Sequence, residues 1–236
     1  MCGRFVSSNR ADTIADFFGA SFDSAITAPL QANYNVAPTT EVYGVTADTS
    51  GVRAVEVFRW GLVPPWAKDS KIASTMINAR AETVAEKPAF KGLVKKHRLL
   101  IPMDGFYEWK RPADGPKQPM FIHRVDGLPL AVAGLWAAWR DRSGPDDAPW
   151  LHTCTVITTA ANDMMRPVHD RMPVILPAST WDRWLDPASQ DLDGLRGMLR
   201  AAPNSLLTMH PVSVAVNSVR NNGPELIDPL DPAALL

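Results

Sequence analysis

Cys2, directly after Met1, is the residue whose chemistry is easiest to state. A small second residue generally allows the initiator methionine to be removed, which would leave Cys2 with a free α-amine and a thiol on adjacent carbons. Such a 1,2-aminothiol traps an aldehyde. The amine forms a Schiff base, and the thiol adds to the imine carbon to close a five-membered thiazolidine. An α-amine with a pKa of about 7.7–8.0 offers far more free base at neutral pH than a lysine near ~10.4. The competing reading makes Cys2 a small residue at a frayed terminus.

Several other segments carry polar and aromatic residues with no evident core purpose. Gly3 and Arg4 follow the cysteine at once, and Asn35-Val36-Ala37-Pro38 reads as a turn. The stretch from Trp60 to Asp69 suits neither regular helix nor strand, yet holds Trp60 and Trp66. Asn78 and Arg80 stand two apart, on one face if the chain is extended. Glu108 lies between Tyr107 and Trp109, and His169 and Arg171 are again two apart.

The elements that must position these residues are short. Ala11–Phe18 puts Ile14, Phe17 and Phe18 on one helical face, and Lys87–His97 reads as a helix with Phe90, Leu93 and Val94 inward. Val52–Phe58 and Leu151–Thr158 alternate as strands, and Leu99–Ile101 reads as a buried strand running into Pro102. Met120–Val125 and Leu130–Trp136 read as a hairpin joined at Asp126-Gly127. Thr180–Leu185 and Leu192–Leu199 suggest two short helices, and Val212–Val216 a last strand. The 21 prolines punctuate many short elements. The expected class is α+β: one domain over residues 1–236, with a curved, mainly antiparallel, barrel-like sheet flanked by short helices.

Composition narrows the function further. The chain has 236 residues, 46% hydrophobic and 21% charged, which suits a packed core. No apolar run approaches the ~18 residues of a membrane span, so no membrane partner is expected. No secretory pattern opens the chain, and two cysteines make no disulfide framework, so the expected location is the cytoplasm. With 24 basic and 25 acidic residues, any nucleic-acid site must be a local cationic patch. Neither the phosphate-binding glycine loops nor G-x-S-x-G occur, and the five histidines show no metal-ligand spacing. No cofactor and no metal are expected.

Taken together, MCGR, YNVAP, RWGLVPPWAKD, INARAET, DGFYEW, AGLW, TTAAN and HDRMPVIL, and more weakly VAVNSV, resemble the SOS response-associated peptidase (SRAP) family of abasic-site processing proteins. The match runs in the expected order over most of the chain; Met103, where a smaller residue is more usual, is a minor departure. The resemblance implies a DNA damage response protein, nucleoid-associated when bound, that meets abasic sites in single-stranded DNA and links its N-terminal cysteine to the exposed C1′ aldehyde. It implies Cys2 as nucleophile, Glu108 as the group handling protons on the α-amine, His169 as the acid for the sugar oxygen, and Asn78 as the amide that orients the sugar. Flanking DNA would be met by Arg4, Pro38, Trp66, Arg80, Trp109, Thr158 and Arg171, through phosphate contacts and sequence-indifferent stacking. A monomer is expected.

The bland alternatives stay open at this level. Glu108 could be a carboxylate paired with an arginine, His169 a satisfied interior histidine, and Arg80 a partner of Glu82. Trp109, Trp136, Trp139, Trp181 and Trp184 could be core, Cys154 an inert packing residue, and the other four histidines structural. Rival functions are a cysteine peptidase using the N-terminal thiol, a lyase acting through the Schiff base alone, and a non-covalent single-stranded DNA binder.

Overall fold

The computed structural model describes residues 2–25, 28–143, 145, 147–189 and 191–231. In chain order the elements are β1 (Phe5–Ser7), α1 (Ala11–Phe18), β2 (Asn33–Val36), β3 (Glu41–Ala47), β4 (Arg53–Trp60), β5 (Asn78–Arg80), α2 (Leu93–Lys96) and β6 (Arg98–Met103). Then follow β7 (Gly105–Lys110), β8 (Gln118–Arg124), β9 (Leu130–Trp139), β10 (Leu151–Ala160), β11 (Arg171–Pro173), α3 (Trp181–Leu185), α4 (Leu192–Met198) and β12 (Leu207–Pro211).

Five strands close a ring. β3 pairs with β4 and β6, β6 with β9, and β9 with β10, all antiparallel; a parallel contact of β10 with β4 completes the circuit. Beyond that contact β10 continues between β5, which it meets in parallel, and β11, which it meets antiparallel. A second sheet runs β12-β8-β7-β1-β2. The expected α+β class with a barrel-like, mainly antiparallel core and short flanking helices is the observed one.

Period-two alternation along the ring strands gives two apolar faces. One face, with Tyr43, Val45, Val55, Leu100, Ala133 and Ile157, is covered by Ile14 and Phe18 of α1 and by Trp181, Trp184 and Leu195 of α3 and α4. The other, with Val42, Phe58, Trp60, Leu99, Ile101, Cys154 and Val156, packs with Cys2, Phe5 and Phe106. Gly44 lies on this second face because a Cβ there would sit 2.6 Å from Leu99 Cδ1 and 2.8 Å from Phe58 Cδ2. The alternation expected of Leu151–Thr158 is thus real, but both of its faces are buried from Thr153 to Thr158.

Four sequence expectations require correction. Asn35 and Val36 lie buried in β2, so the turn expected of Asn35–Pro38 begins only at Ala37. The Asp126-Gly127 turn forms, with Gly127 at φ 71° and its N–H bonded to Arg124 O, but β8 and β9 do not pair. β8 lies between β7 and β12, β9 lies between β6 and β10, and Val125 N–H is taken by Leu206 O. The segment Lys87–His97 buries Phe90, Leu93 and Val94 as expected, yet only Leu93–Lys96 is α-helical. Pro88 and Gly92 leave a run of mixed turn bonds, such as Leu93 N to Phe90 O, in place of a continuous ladder. Val212–Val216 is not a strand. The strand falls at Leu207–Pro211, and Ser213 caps a 3-10 turn, Val214–Asn217, by accepting from Ala215 N.

Candidate functional site

Cys2 sits three residues before the start of β1 and is fully buried in the second apolar cluster. Burial pushes its thiol well above the ordinary cysteine range, and the nearby Glu108 carboxylate pushes in the same direction. The Arg4 backbone N–H, bonded to the sulfur, opposes them. Asn78, at the start of β5, donates from Nδ2 to the Cys2 carbonyl at 2.8 Å. Asn78 Oδ1 is buried with no hydrogen-bond partner among the described residues, an acceptor left for a donor that a ligand brings. Met1, on whose removal the aminothiol depends, lies outside the described residues.

Glu108 is buried on β7, where the alternation that turns Phe106 into the cluster of Cys2 also turns Glu108 toward it. Phe5 of β1 pairs in register with Phe106, and its ring stands edge-on to Trp60 at 5.0 Å. Trp60 in turn donates to Ile77 O, which fixes the approach to Asn78.

Arg4 is not a free cation. Its Nη1 donates to Asn35 Oδ1 at 2.7 Å and to Val216 O at 2.9 Å, and its guanidinium lies 5.9 Å from the Trp109 ring. Asn35 Nδ2 reaches the carbonyls of Val216, Ser218 and Asn221. Trp109 Nε1 donates to Asn217 Oδ1, and the Tyr107 hydroxyl to Tyr34 O. MCGR, YNVAP, GFYEW and VAVNSV are therefore one bonded assembly. Asn35 was invisible as a site residue in the sequence, because a buried amide serving distant carbonyls leaves no spacing signal.

The remaining candidates occupy the other end of β10. Thr158 is in register with Arg80 on one side and Pro173 on the other. Arg80 is exposed. Arg171 makes a two-pronged pair with Glu82, at 3.1 and 3.0 Å, and also bonds Thr158 O and Oγ1. Glu82 is thus held by Arg171, which keeps its carboxyl below the usual range; Arg80 adds a smaller push. His169 precedes β11, and its Nδ1 lies 3.0 Å from Arg171 N. Asp170 Oδ1 lies 2.9 Å from the same Nδ1.

Pro38 stands half-buried in a turn where Thr39 has φ 72°, a conformation a β-branched residue rarely takes. Thr39 is held there from both sides, its N–H on Trp60 O and its carbonyl accepting from Arg59 Nε. Trp66 is exposed and lies toward the Leu151 end of β10, anchored through Ala67 O, which accepts from Trp139 Nε1. The structure therefore gathers Cys2, Asn78 and Glu108 closely, ranks Arg80, Thr158, Arg171 and His169 beside them, and leaves Trp66 apart. Among the described residues, no group of three His, Cys, Asp or Glu could hold a metal ion.

A family model described as SOS response associated peptidase (SRAP) matches residues 1–219. The chain belongs to that family. It is 42% identical over 229 residues to the abasic site processing protein YoqW of Bacillus subtilis strain 168, covering 97% of this chain and 99% of that one. It is 33% identical over 236 residues to the abasic site processing protein YedK of Escherichia coli K12, covering 98% and 100%. A crystal structure of a Bacteroides thetaiotaomicron protein superposes with a TM-score of 0.86 at 25% identity, over 97% of this chain and all of that one. Every segment in the bonded assembly around Cys2, from MCGR to VAVNSV, falls within the SRAP match.

Proposed function

We propose that the protein senses abasic sites in single-stranded DNA and captures them covalently through Cys2 after Met1 is removed. The observation that carries this reading is Cys2 held by Asn78 through its carbonyl while the Glu108 carboxylate stands beside its thiol. In the ring-opened sugar, the Cys2 α-amine adds to the C1′ aldehyde carbon. Glu108 takes in turn the two protons that leave the nitrogen and returns the first to the oxygen, and His169 donates the second that the oxygen needs, so that one water is lost and an imine forms. The thiol then adds to the imine carbon, its proton passes to the nitrogen, and the thiazolidine closes. Overall, aldehyde and aminothiol give thiazolidine and one water. Asn78 Oδ1 is the acceptor for a sugar hydroxyl.

Flanking DNA is met by Arg80, Thr158 and Arg171 through phosphate, with Pro38, Trp109 and Trp66 against bases. Arg171 exchanges part of its Glu82 pairing for phosphate. Arg4 serves by holding Cys2, Asn35 and Trp109 in place.

A lyase side reaction belongs to the same reading, because the imine that precedes ring closure is itself open to β-elimination of the 3′ phosphate. Intact mass spectrometry tests the whole reading, before and after incubation with a single-stranded oligonucleotide carrying one abasic site. A protein lacking Met1 that gains the oligonucleotide, stable to heat without borohydride, is expected. Retained Met1 would overturn the aminothiol mechanism, and Met1 loss with no adduct would favour a peptidase.

A further inference from the structure

The Thr40 N–H returns to Ala37 O at 3.4 Å and the Thr40 hydroxyl donates to the same carbonyl at 2.8 Å, so residues 37–40 form a tight turn. Proline at the second position and a positive φ at the third are the marks of a type II turn, whose third position ordinarily takes glycine or asparagine. Here that position is Thr39, at φ 72°, the one non-glycine residue with positive φ among the described residues. A β-branched side chain disfavours this conformation, which persists only where the surroundings hold it.

Two consecutive residues of β4 do the holding. Arg59 Nε donates to Thr39 O at 3.1 Å. Trp60 O accepts from Thr39 N at 2.7 Å, and Trp60 N donates to Thr40 O at 2.8 Å. The Trp60 indole in turn donates to Ile77 O at 3.0 Å, next to Asn78. The Pro38 turn and the Asn78 amide therefore hang from one short piece of strand. Glu41 stands in register with Arg59 across β3 and β4, yet the two form no ion pair. Arg59 Nη1 and Nη2 make no hydrogen bond among the described residues, so the bond to Thr39 O is the one polar contact the fold gives this side chain.

We propose that Arg59 is a positioning residue for Pro38: it holds Thr39 in the left-handed conformation and so sets where the proline ring meets the base beside the abasic site, at a fixed reach from Asn78. This rests on the function proposed above, in which Pro38 lies against a base. Without the bond Thr39 relaxes toward negative φ, the proline ring turns away, and binding loses its contact with that base. The phosphate contacts at Arg80, Thr158 and Arg171 are untouched.

The test uses the full chain and fluorescent single-stranded oligonucleotides carrying a central tetrahydrofuran site, an abasic analogue without an aldehyde. One strand has bases on both sides of the site, and the other has further tetrahydrofuran residues there. Arg59→Ala should bind the base-flanked strand about five-fold more weakly and the other as the wild type does, with an unchanged salt slope. Arg59→Gln, which keeps an N–H at the ε position without the charge, should stay within about two-fold of the wild type. In a Thr39→Gly background, where glycine takes φ 72° unaided, Arg59→Ala should cost less than about two-fold. An equal loss on both strands, or a full loss that persists in the glycine background, would overturn the proposal. So would equal affinity of the wild type for the two strands. A salt slope lower by about one, with Arg59→Gln as weak as Arg59→Ala, would overturn it in favour of a phosphate contact. A strand with a true abasic site, run alongside, tests the function separately: a wild type that formed no adduct would remove the proposed capture, while the tetrahydrofuran strands would still decide the role of Arg59.

Discussion

Arg4 and Arg80 each stand two residues after a residue placed at the reaction centre, Cys2 and Asn78, and their surroundings are opposite. Arg4 is inside, bonded to Asn35 and Val216 and stacked near Trp109, with burial lowering its proton affinity. Arg80 is on the surface beside Thr158 and Arg171. Around Cys2 the bonds of Asn35, Arg4 and Asn78 fix geometry before any ligand arrives, although Arg4 Nε and Asn78 Oδ1 are buried without a partner among the described residues. At the Thr158 end the polar groups face solvent or make a pair that phosphate can compete for. Residue type and spacing are the same in both places; what separates the held cation from the exposed one is which other segment reaches it.

The comparison breaks most sharply at Cys2. Cys2→Ala should abolish the heat-stable adduct, by at least ~10³-fold on a denaturing gel, while non-covalent affinity stays within about three-fold. Capture that persisted through a lysine would remove the reason for the buried assembly.

Asn35→Ala tests that assembly directly. It deprives Arg4 of its acceptor and three carbonyls of their donor, so we expect a loss of about 3 kcal/mol, seen as a Tm lower by roughly 6–12 °C. A loss under about 1 kcal/mol would show that the segments stay together without it.

The two arginines should then separate. Arg80→Ala should weaken binding to all sequences by about three- to ten-fold at low salt, and lower the salt slope by about one, with Tm unchanged. Arg4→Ala should do the reverse, lowering Tm and leaving the salt slope alone. The same salt response in both would erase the distinction.

The smallest effect lies outside both regions. His97 is held below the ordinary histidine range by burial, with Lys96 and Arg98 on either side adding to it. The unfolded chain therefore takes up this proton first as pH falls. Its contribution to stability is complete above about 6.5 and declines as pH drops below that. His97→Gln should flatten this shallow part of the pH–stability curve, measured by urea unfolding at stepped pH.

Much of this was legible in the residues themselves. The helix at Ala11–Phe18 follows from its apolar spacing and the left-handed Gly19 that ends it, and the residues proposed to react stand out by type. Local patterns misled where a distant segment competed for the same hydrogen bonds. Asp126-Gly127 makes the turn it should, but Val125 is already bonded to Leu206, so a local hairpin loses to a strand some 80 residues on. Arg4 and Arg171 read equally well as phosphate contacts, and only the fold reveals Val216 behind one and Glu82 behind the other.

The bond from Arg4 to Val216 spans 212 residues, and those from Tyr34 and Asn35 to the segment 218–222 span more than 180. A ribosome adding 5–20 residues per second needs roughly 10–40 s to make that stretch. Throughout that interval Arg4 has no Val216 to bind, and the seat of Cys2 lacks its outer wall. Cys2, the nucleophile proposed above, is thus made early and locked late. The proposed removal of Met1 then has the whole of synthesis as its open period.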